Sequence, residues 1–256
     1  MKNFIYLTLI IATISLTHFF FNKKVSEGDS KIPTIIVGIS PEHPPFEFKQ
    51  NGKLCGFDVD LAKQLGKELN MNISFKEMDY FTLIPALKCK HIDIIISCMS
   101  PTAERKKNIE FSKPYFENTF AFFFDKTKTK PPTLDNLQDK KFGVQLGSTM
   151  EQFAKQLKGI HIVSLNSNLI LLQELKAGKI DMVIMENSQS KTITKSMPEL
   201  SCAVVDNNKI PNKPEGPAIA FAKNSQLKKP IETALAKIKL NGTLKALANK
   251  WIGGAK

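Results

Sequence analysis

The segment Ser-Cys-Met-Ser-Pro-Thr-Ala-Glu-Arg, residues 97–105, combines residue types that can bind an anion. It follows an isoleucine-rich run that predicts a buried strand, and Thr102 is a residue type that commonly begins a helix. Ser97 and Ser100 supply hydroxyls and backbone N–H groups, and Arg105 falls in the first helical turn. Unpaired N–H groups at a helix start beside a guanidinium predict a receptor for a carboxylate or a phosphate.

Arg105 is the single arginine of the chain, because every other one of the 36 basic residues is a lysine. A planar guanidinium holds a carboxylate through two parallel hydrogen bonds, whereas an ammonium group acts as a point charge. We therefore interpret position 105 as one that needs the arginine fork. A surface arginine without a binding role is the alternative.

Two further segments place polar groups at predicted strand ends. Gly147 lets a ligand approach the backbone, and Ser148 and Thr149 can cap the next helix or offer hydroxyls to a ligand. Glu186 follows the apolar strand "IDMVIM". Together with Arg105, these groups match a zwitterion that carries one carboxylate and one ammonium. Helix capping alone is the alternative for both segments.

The hydrophobic pattern predicts an α/β fold with two similar halves. Helices are expected between apolar strands at 33–40, 72–78 and 92–97, and the alternation recurs with strands at 141–146, 160–165 and 180–185. An alternation of strand and helix is typical of a parallel sheet. A Lys/Pro stretch at 125–133 and the segment "KIPNKPEGP" (209–217) separate the halves.

We expect residues 31–124 and 215–256 to form the first lobe and residues 125–214 the second, crossed by two hinge connections. In open α/β sheets, ligands bind beyond the carboxyl ends of the strands, which is where the polar segments lie. The sequence therefore predicts a ligand cleft between the two lobes.

Residues 1–30 predict export. A lysine precedes an apolar run from Phe4 to Phe21, and polar residues follow that run. A cleaved signal peptide and an uncleaved N-terminal anchor both fit this pattern, because the apolar run approaches the length that spans a membrane. Both alternatives place the protein in the periplasm or on the cell surface.

Charge and cysteine spacing exclude several functional classes. The net charge of +12 comes from lysines scattered along the chain, without a basic stripe, so nucleic-acid binding is not expected. The cysteines show no metal-ligand spacing, so we expect neither a metal nor another cofactor. Disulfides are chemically permitted in an exported protein, but the spacing selects no pairing among Cys55, Cys89, Cys98 and Cys202.

The chain resembles the periplasmic solute-binding proteins of polar amino-acid ABC transporters, the bacterial extracellular solute-binding proteins of family 3. The resemblance covers residues 33–252 and rests on the order and spacing of "PPFEF", "GFDVDLAKQLGKEL", "LIPALK", "SPTAERKKNIEFSKPY", "VQLGST" and "GKIDMVI". It implies the two-lobe periplasmic binding protein fold of type II, with two hinge connections and a cleft between the lobes.

The resemblance also implies roles for individual residues. Arg105 would grip the α-carboxylate of an amino acid, helped by Ser100 and Thr149. Glu186 occupies the position of the acid that binds the α-ammonium, which is usually an aspartate. Ser97 and Met99 match positions that contact the ligand through backbone groups. Tyr80 stands where an aromatic ring commonly lines the side-chain pocket, and ordinary core packing is the alternative for it.

Three positions depart from the usual pattern of the family. His43 stands where relatives carry a stacking aromatic, Ser40 where cation-binding relatives often carry an acid, and Cys98 where a small residue is common. Glu42 and Gln145 are both able to restore polarity, and the sequence does not decide between them. The predicted ligand is a polar or cationic L-amino acid, with arginine and glutamine as examples.

The resemblance favours a monomeric binding protein, not an enzyme, that delivers an amino acid to the membrane permease of an ABC transporter. A cyclohexadienyl or arogenate dehydratase-like enzyme on the same fold, with Glu186 or His43 as general acid, is one alternative. A sensory or surface protein is another. No nucleophile–base pair is visible in the sequence, which disfavours the enzyme.

Overall fold

The computed structural model describes residues 32–117, 119–206, 208, 210 and 215–253. The predicted signal peptide or anchor at 1–30 lies outside the described residues. Among the helices of the described ranges, none has the length and apolar character needed to cross a membrane.

The elements follow the predicted alternation of strands and helices. The strands are β1 (Thr34–Ile39), β2 (Glu42–His43), β3 (Glu47–Gln50), β4 (Lys53–Cys55), β5 (Asn72–Glu77), β6 (Ile94–Ile95), β7 (Ile109–Phe111), β8 (Phe120–Asp125), β9 (Lys141–Gln145), β10 (His161–Leu165), β11 (Met182–Glu186), β12 (Leu200–Val204) and β13 (Ala220–Ala222). The α-helices are α1 (Phe57–Leu69), α2 (Leu83–Lys88), α3 (Ala103–Asn108), α4 (Thr149–Ala154), α5 (Asn168–Lys176), α6 (Ser190–Ser196), α7 (Lys228–Leu240) and α8 (Thr243–Ile252).

The first sheet has the strand order β5-β1-β6-β13-β7, in which β1 is parallel to β5 and β6. One of its faces is covered by apolar residues of α1 and α7, including Leu61 and Ile231. The other face packs on the segment around α2, including Leu83 and Leu87. β1 is the apolar run "TIIVGI", and its last three residues, Val37 to Ile39, are all buried, as expected where both faces of a strand are covered.

The second sheet has the strand order β10-β9-β11-β8-β12. Its most apolar strand is β8, in which Phe120, Phe122 and Phe124 pack on one face of the sheet. Ala121 and Phe123 pack on the opposite face, as the two-residue period of a strand requires. The aromatic run therefore stabilises both faces of the second sheet at once.

Both sheets are mixed, whereas the alternation of strand and helix predicted parallel sheets. Strand β13 is antiparallel to β6 and β7, and β8 is antiparallel to β11 and β12. These two strands directly follow the connections that cross between the sheets, so they enter their sheets from the opposite direction to the others. A parallel arrangement would need a long crossover connection before each of them.

We call residues 33–117 and 215–253 the first lobe and residues 119–206 the second lobe. Strand β8 belongs to the second sheet, so residues 120–124 are wrongly placed in the predicted first lobe. The Lys/Pro stretch at 125–133 suggested a boundary, but it follows β8 within the second lobe. From Pro33 onward the chain forms one compact unit.

A three-stranded antiparallel sheet, β2-β3-β4, leads into helix α1. Gly56 joins β4 to the helix with φ 129° and ψ 178°, a backbone conformation that side chains rarely permit. A Cβ atom added at Gly56 would lie 2.1 Å from the carbonyl oxygen of Phe46. This close approach of two backbones sets the start of α1 and the position of Asp58 in its first turn.

We expect Gly56→Ala to lower the free energy of unfolding by about 3 kcal/mol or more, because it adds a steric clash to backbone strain. Gly52→Ala is the matched control, because Gly52 has φ 73° but no atom within 4 Å of an added Cβ. The control should lose about 1 kcal/mol. Urea unfolding of both variants measures the difference, and equal losses would contradict the close approach at Gly56.

Candidate functional site

Arg105 is buried between the two lobes, with only 5% of its surface exposed. Its Nη1 donates to the carbonyl oxygen of Ser100 at 2.7 Å, and its Nη2 donates to the carbonyl oxygen of Gly147 at 2.9 Å. Nη2 also lies 3.2 Å from the hydroxyl of Tyr80. Since Gly147 belongs to the second lobe, the guanidinium directly joins the two halves of the molecule.

The position of Arg105 depends on the local chemistry that the sequence predicted. Thr102 is the N-cap of α3, because its hydroxyl accepts a hydrogen bond from the Arg105 backbone N–H. Ser148 caps α4 in the same way and accepts from the N–H of Glu151. Gly147 adopts φ 76°, which turns the chain sharply between β9 and α4.

Tyr80 connects Arg105 to the rest of the cleft. The guanidinium carbon lies 5.7 Å from the centre of the tyrosine ring, within the range of a cation–π contact. The imidazole of His43 lies on another side, with ring centres 5.9 Å apart. Burial raises the pKa of Tyr80 to about 12, so its phenol is neutral at physiological pH.

Glu186 is the acid at the end of β11, and it is also buried. Gln189 Nε2 donates to its Oε2 at 2.8 Å, and His43 Nε2 lies 4.0 Å from the same oxygen. Burial raises the pKa of Glu186 to about 7, although Arg105 opposes the shift. The carboxyl group therefore titrates close to neutral pH.

His43 and Glu42 make contacts from the first lobe to the start of helix α5. The backbone N–H of Asn168 donates to Glu42 Oε2 at 2.9 Å, and Asn168 Nδ2 lies 3.0 Å from His43 Nε2. Burial lowers the pKa of His43 to about 4, so the ring is neutral. An amide that donates to Nε2 leaves the imidazole proton on Nδ1, which lies 3.6 Å from Glu47 Oε1.

The 97–100 loop lies beside Arg105 in the first lobe. The hydroxyl of Ser97 accepts from the N–H of Ser40 at 2.9 Å and donates to Glu47 at 3.0 Å. The sequence predicted that this hydroxyl is available to a ligand, whereas in the structure it makes hydrogen bonds within the protein. Cys98 has φ 45°, and the carbonyl oxygen of Met99 accepts from Ala218.

The second lobe contributes Gly147, Thr149 and Gln145 near the end of β9. The Thr149 side chain is buried, and its hydroxyl lies 3.5 Å from Met150 Sδ. Gln145 is fully buried, and its Nε2 lies 3.4 Å from the carbonyl oxygen of Asn166. Gln145 therefore lies near the start of α5, whereas Gly147 contacts Arg105.

The structure joins most of the predicted residues through direct contacts, but it also adds residues that sequence reasoning did not assign to the site. Asn168 contacts His43, and Gln189 donates to Glu186. Glu47 and Asp58 lie beneath the 97–100 loop and accept hydrogen bonds from it. Gln189 lies in "ENSQS", a strand-end segment, which is a usable signal. Nothing in the spacing of Asn168 or Glu47 indicated a contact more than 40 residues away.

The four cysteines all lie in the described residues as free thiols, with Cys98 buried and Cys89 exposed. Within those ranges, no group of three or more His, Cys, Asp or Glu side chains is arranged to hold a metal ion.

The raised pKa of Glu186 generates a prediction about stability. Its carboxyl has an ordinary pKa of 4.5 and a folded-state pKa of about 7, so the folded protein binds the proton more tightly. Native stability should therefore fall as pH rises through this window. Relative to Glu186→Gln, the wild type should lose about 2 to 3 kcal/mol between about pH 5 and about pH 8.

Chemical unfolding of wild type and Glu186→Gln at about pH 5 and about pH 8 measures the difference in stability. Glu232→Gln, on helix α7, controls for the removal of one carboxyl group outside the cleft. A pH-independent difference between wild type and Glu186→Gln would show that Glu186 has an ordinary pKa in the folded protein.

Comparisons with known proteins agree with this fold. Residues 35–254 match the family described as bacterial extracellular solute-binding proteins, family 3. The arginine-binding extracellular protein ArtP of Bacillus subtilis is 35% identical over 98% of this chain and 99% of ArtP. A probable histidine-binding protein of Campylobacter jejuni is 37% identical over 80% of this chain and 78% of its own length.

Solved structures show the same architecture. An ancestral arginine-binding protein bound to glutamine matches with a TM-score of 0.80 and 39% identity, covering 88% of this chain and 100% of the other. The protein AbpA of Streptococcus pneumoniae, bound to L-arginine, matches with a TM-score of 0.79 and 30% identity, covering 86% and 94%. The two-lobe fold and the family resemblance are confirmed, and the chain belongs to the bacterial extracellular solute-binding proteins of family 3.

Proposed function

We propose that this protein binds a polar or cationic L-amino acid between its lobes and delivers it to the permease of an ABC transporter. It acts outside the cytoplasm as a binding protein and not as an enzyme. The observation that best supports this proposal is the buried Arg105 guanidinium, which lies where the two lobes meet and faces backbone groups from both.

In this proposal Arg105 holds the α-carboxylate of the ligand. Its present acceptors are two backbone carbonyls and one phenol, which are neutral groups. A carboxylate is a stronger acceptor, because it carries a full negative charge and can accept two parallel hydrogen bonds from the guanidinium. Ser100 and Thr149 assist from the two lobes, and Tyr80 forms a wall of the side-chain pocket.

Glu186 pairs with the α-ammonium of the ligand. A buried carboxyl with a pKa of about 7 loses its proton readily when a cation arrives, because the cation stabilises the charged form. Gln189 orients the carboxyl through its hydrogen bond to Oε2. The longer side chain of Glu186, compared with the usual aspartate, is accommodated by this contact.

Two buried amide oxygens favour a ligand side chain that donates hydrogen bonds. Gln145 Oε1 and Gln189 Oε1 have no hydrogen-bond partner among the described residues. An unpaired buried acceptor costs about 1 to 3 kcal/mol, so a donor from the ligand would be stabilising. Arginine offers the most donors and glutamine fewer, and related proteins have been solved with arginine and with glutamine bound. We therefore propose arginine first and glutamine second.

The proposal describes a monomer, which sedimentation analysis of the purified protein would test. The N-terminal segment at 1–30 serves export in either form, and N-terminal sequencing of the exported protein distinguishes a cleaved signal from a retained anchor.

We expect Arg105→Lys to weaken arginine binding by about 1.5 to 3 kcal/mol, roughly 10- to 150-fold in affinity. Lysine keeps the positive charge but loses the planar fork that makes parallel hydrogen bonds. Calorimetric titration with L-arginine measures the change, and Lys107→Ala, an exposed residue of the same helix, is the control. An unchanged affinity in Arg105→Lys would exclude the carboxylate role.

Glu186→Gln should weaken binding of every L-amino acid ligand, because the α-ammonium loses its charged partner. An α-keto analogue lacks the ammonium, so it should bind poorly to the wild type and gain relative to the amino acid in the variant. Titrating both compounds against both proteins measures this preference. An identical preference in the two proteins would contradict the ammonium assignment, and turnover of prephenate by the wild type would contradict a purely binding role.

A further inference from the structure

Two carboxyl groups lie together beneath the 97–100 loop, in the core of the first lobe. Glu47 is the first residue of β3, Asp58 is in the first turn of α1, and neither side chain is exposed at all. The two carboxyl groups are close enough for each to influence the pKa of the other. Neither residue contacts the guanidinium of Arg105, and the binding function proposed above uses neither of them.

The pair is connected to the loop by short hydrogen bonds. Asp58 Oδ2 accepts from the backbone N–H of Cys98 at 2.7 Å and from the hydroxyl of Tyr115 at 2.8 Å. Glu47 Oε1 accepts from the Ser97 hydroxyl at 3.0 Å, and that hydroxyl accepts from the N–H of Ser40. The pair thereby fixes both segments that follow the strands β1 and β6 at the ligand cleft.

The bond to Cys98 matters because the backbone there is strained. Cys98 has φ 45°, in the left-handed region that residues other than glycine rarely adopt. Such a conformation costs about 1 to 2 kcal/mol and persists only where surrounding contacts hold it. The buried carboxylate of Asp58 is the contact that holds the Cys98 N–H in this orientation.

The buried oxygens of the pair that lack a hydrogen-bond donor indicate that the two carboxyl groups hold one proton between them. Glu47 Oε2 and Asp58 Oδ1 are both buried, and neither has a donor among the described residues. A single proton on Glu47 Oε2 satisfies both oxygens, because a protonated carboxyl donates to an ionised one. Burial raises the pKa of Glu47 well above its usual range and that of Asp58 to about 6, which assigns the proton to Glu47.

We propose that Glu47 and Asp58 form a buried acid–carboxylate pair that positions the 97–100 loop for ligand binding. Protonated Glu47 donates to the carboxylate of Asp58, and Asp58 accepts the hydrogen bond from the Cys98 N–H. This inference rests on the proposed amino-acid binding function for its effect on affinity. The hydrogen bond from the Cys98 N–H to Asp58 fixes the backbone of the loop, whichever ligand is bound.

Two substitutions of similar size distinguish the members of the pair. The amide of Glu47→Gln can donate to Asp58 and accept from Ser97, as the protonated acid does, so arginine affinity should stay within about threefold of wild type. Asp58→Leu keeps the approximate shape of the side chain but offers no acceptor to the Cys98 N–H. That buried donor loses its partner, so arginine affinity should fall about tenfold or more.

Tyr115→Phe is the matched structural control. It also removes a hydrogen bond to Asp58 Oδ2, but it leaves the bond to Cys98 in place. This variant should lose stability while its arginine affinity stays within about threefold of wild type. A loss of affinity as large as that of Asp58→Leu would show that any damage to the core weakens binding, and would overturn the specific role of the Cys98 contact.

Amide hydrogen exchange tests the positioning without any ligand. The Cys98 amide should exchange at least tenfold faster in Asp58→Leu than in wild type, Glu47→Gln or Tyr115→Phe, whereas amides of β9 in the second lobe should not change. Unchanged protection of Cys98 in Asp58→Leu overturns the proposal, as does faster exchange in Glu47→Gln. Failure of the wild type to bind any amino acid would instead reject the proposed function, and the exchange data would still decide the role of the pair.

Discussion

The burial of the Arg105 guanidinium between the lobes is the constraint on which the site depends. A buried charge is tolerated only where its donors find acceptors, and here the acceptors come from three separate segments. The carbonyls of Ser100 and Gly147 and the hydroxyl of Tyr80 must all reach the same group. One arginine therefore determines how the loop after β6, the turn after β9 and the turn before α2 meet.

Burial of an acid is the second constraint on the site. Glu186 lies near the neutral ring of His43 and the amide of Gln189, and its burial raises its pKa to about 7. In the proposed function, the guanidinium and the readily ionised carboxyl pair with the two charges of an amino acid. This polarity, rather than the fold alone, connects the architecture to the binding of a zwitterion.

The periodic elements were predictable because their signals are local. The apolar run of β1, the spacing of leucines in α1 and the capping residue Thr102 each depend on residues within a few positions of one another. The short strands β2 to β4 were not predicted, because two to four residues are too few to show a period. The placement of β8 was also wrong, because an aromatic strand carries no signal for the sheet it will join.

The sequence by itself determined the family, the strand ends that carry Arg105 and Glu186, and the polar character of the cleft, since these depend on residue types and their order. Only the tertiary structure decided which groups touch. Glu47 accepts from Ser97 across 50 residues, Asp58 accepts from Cys98 across 40, and Asn168 reaches His43 across 125. Burial, which raises the pKa values of Glu186 and Asp58, likewise exists only after the chain has folded, because desolvation is a property of the packed structure.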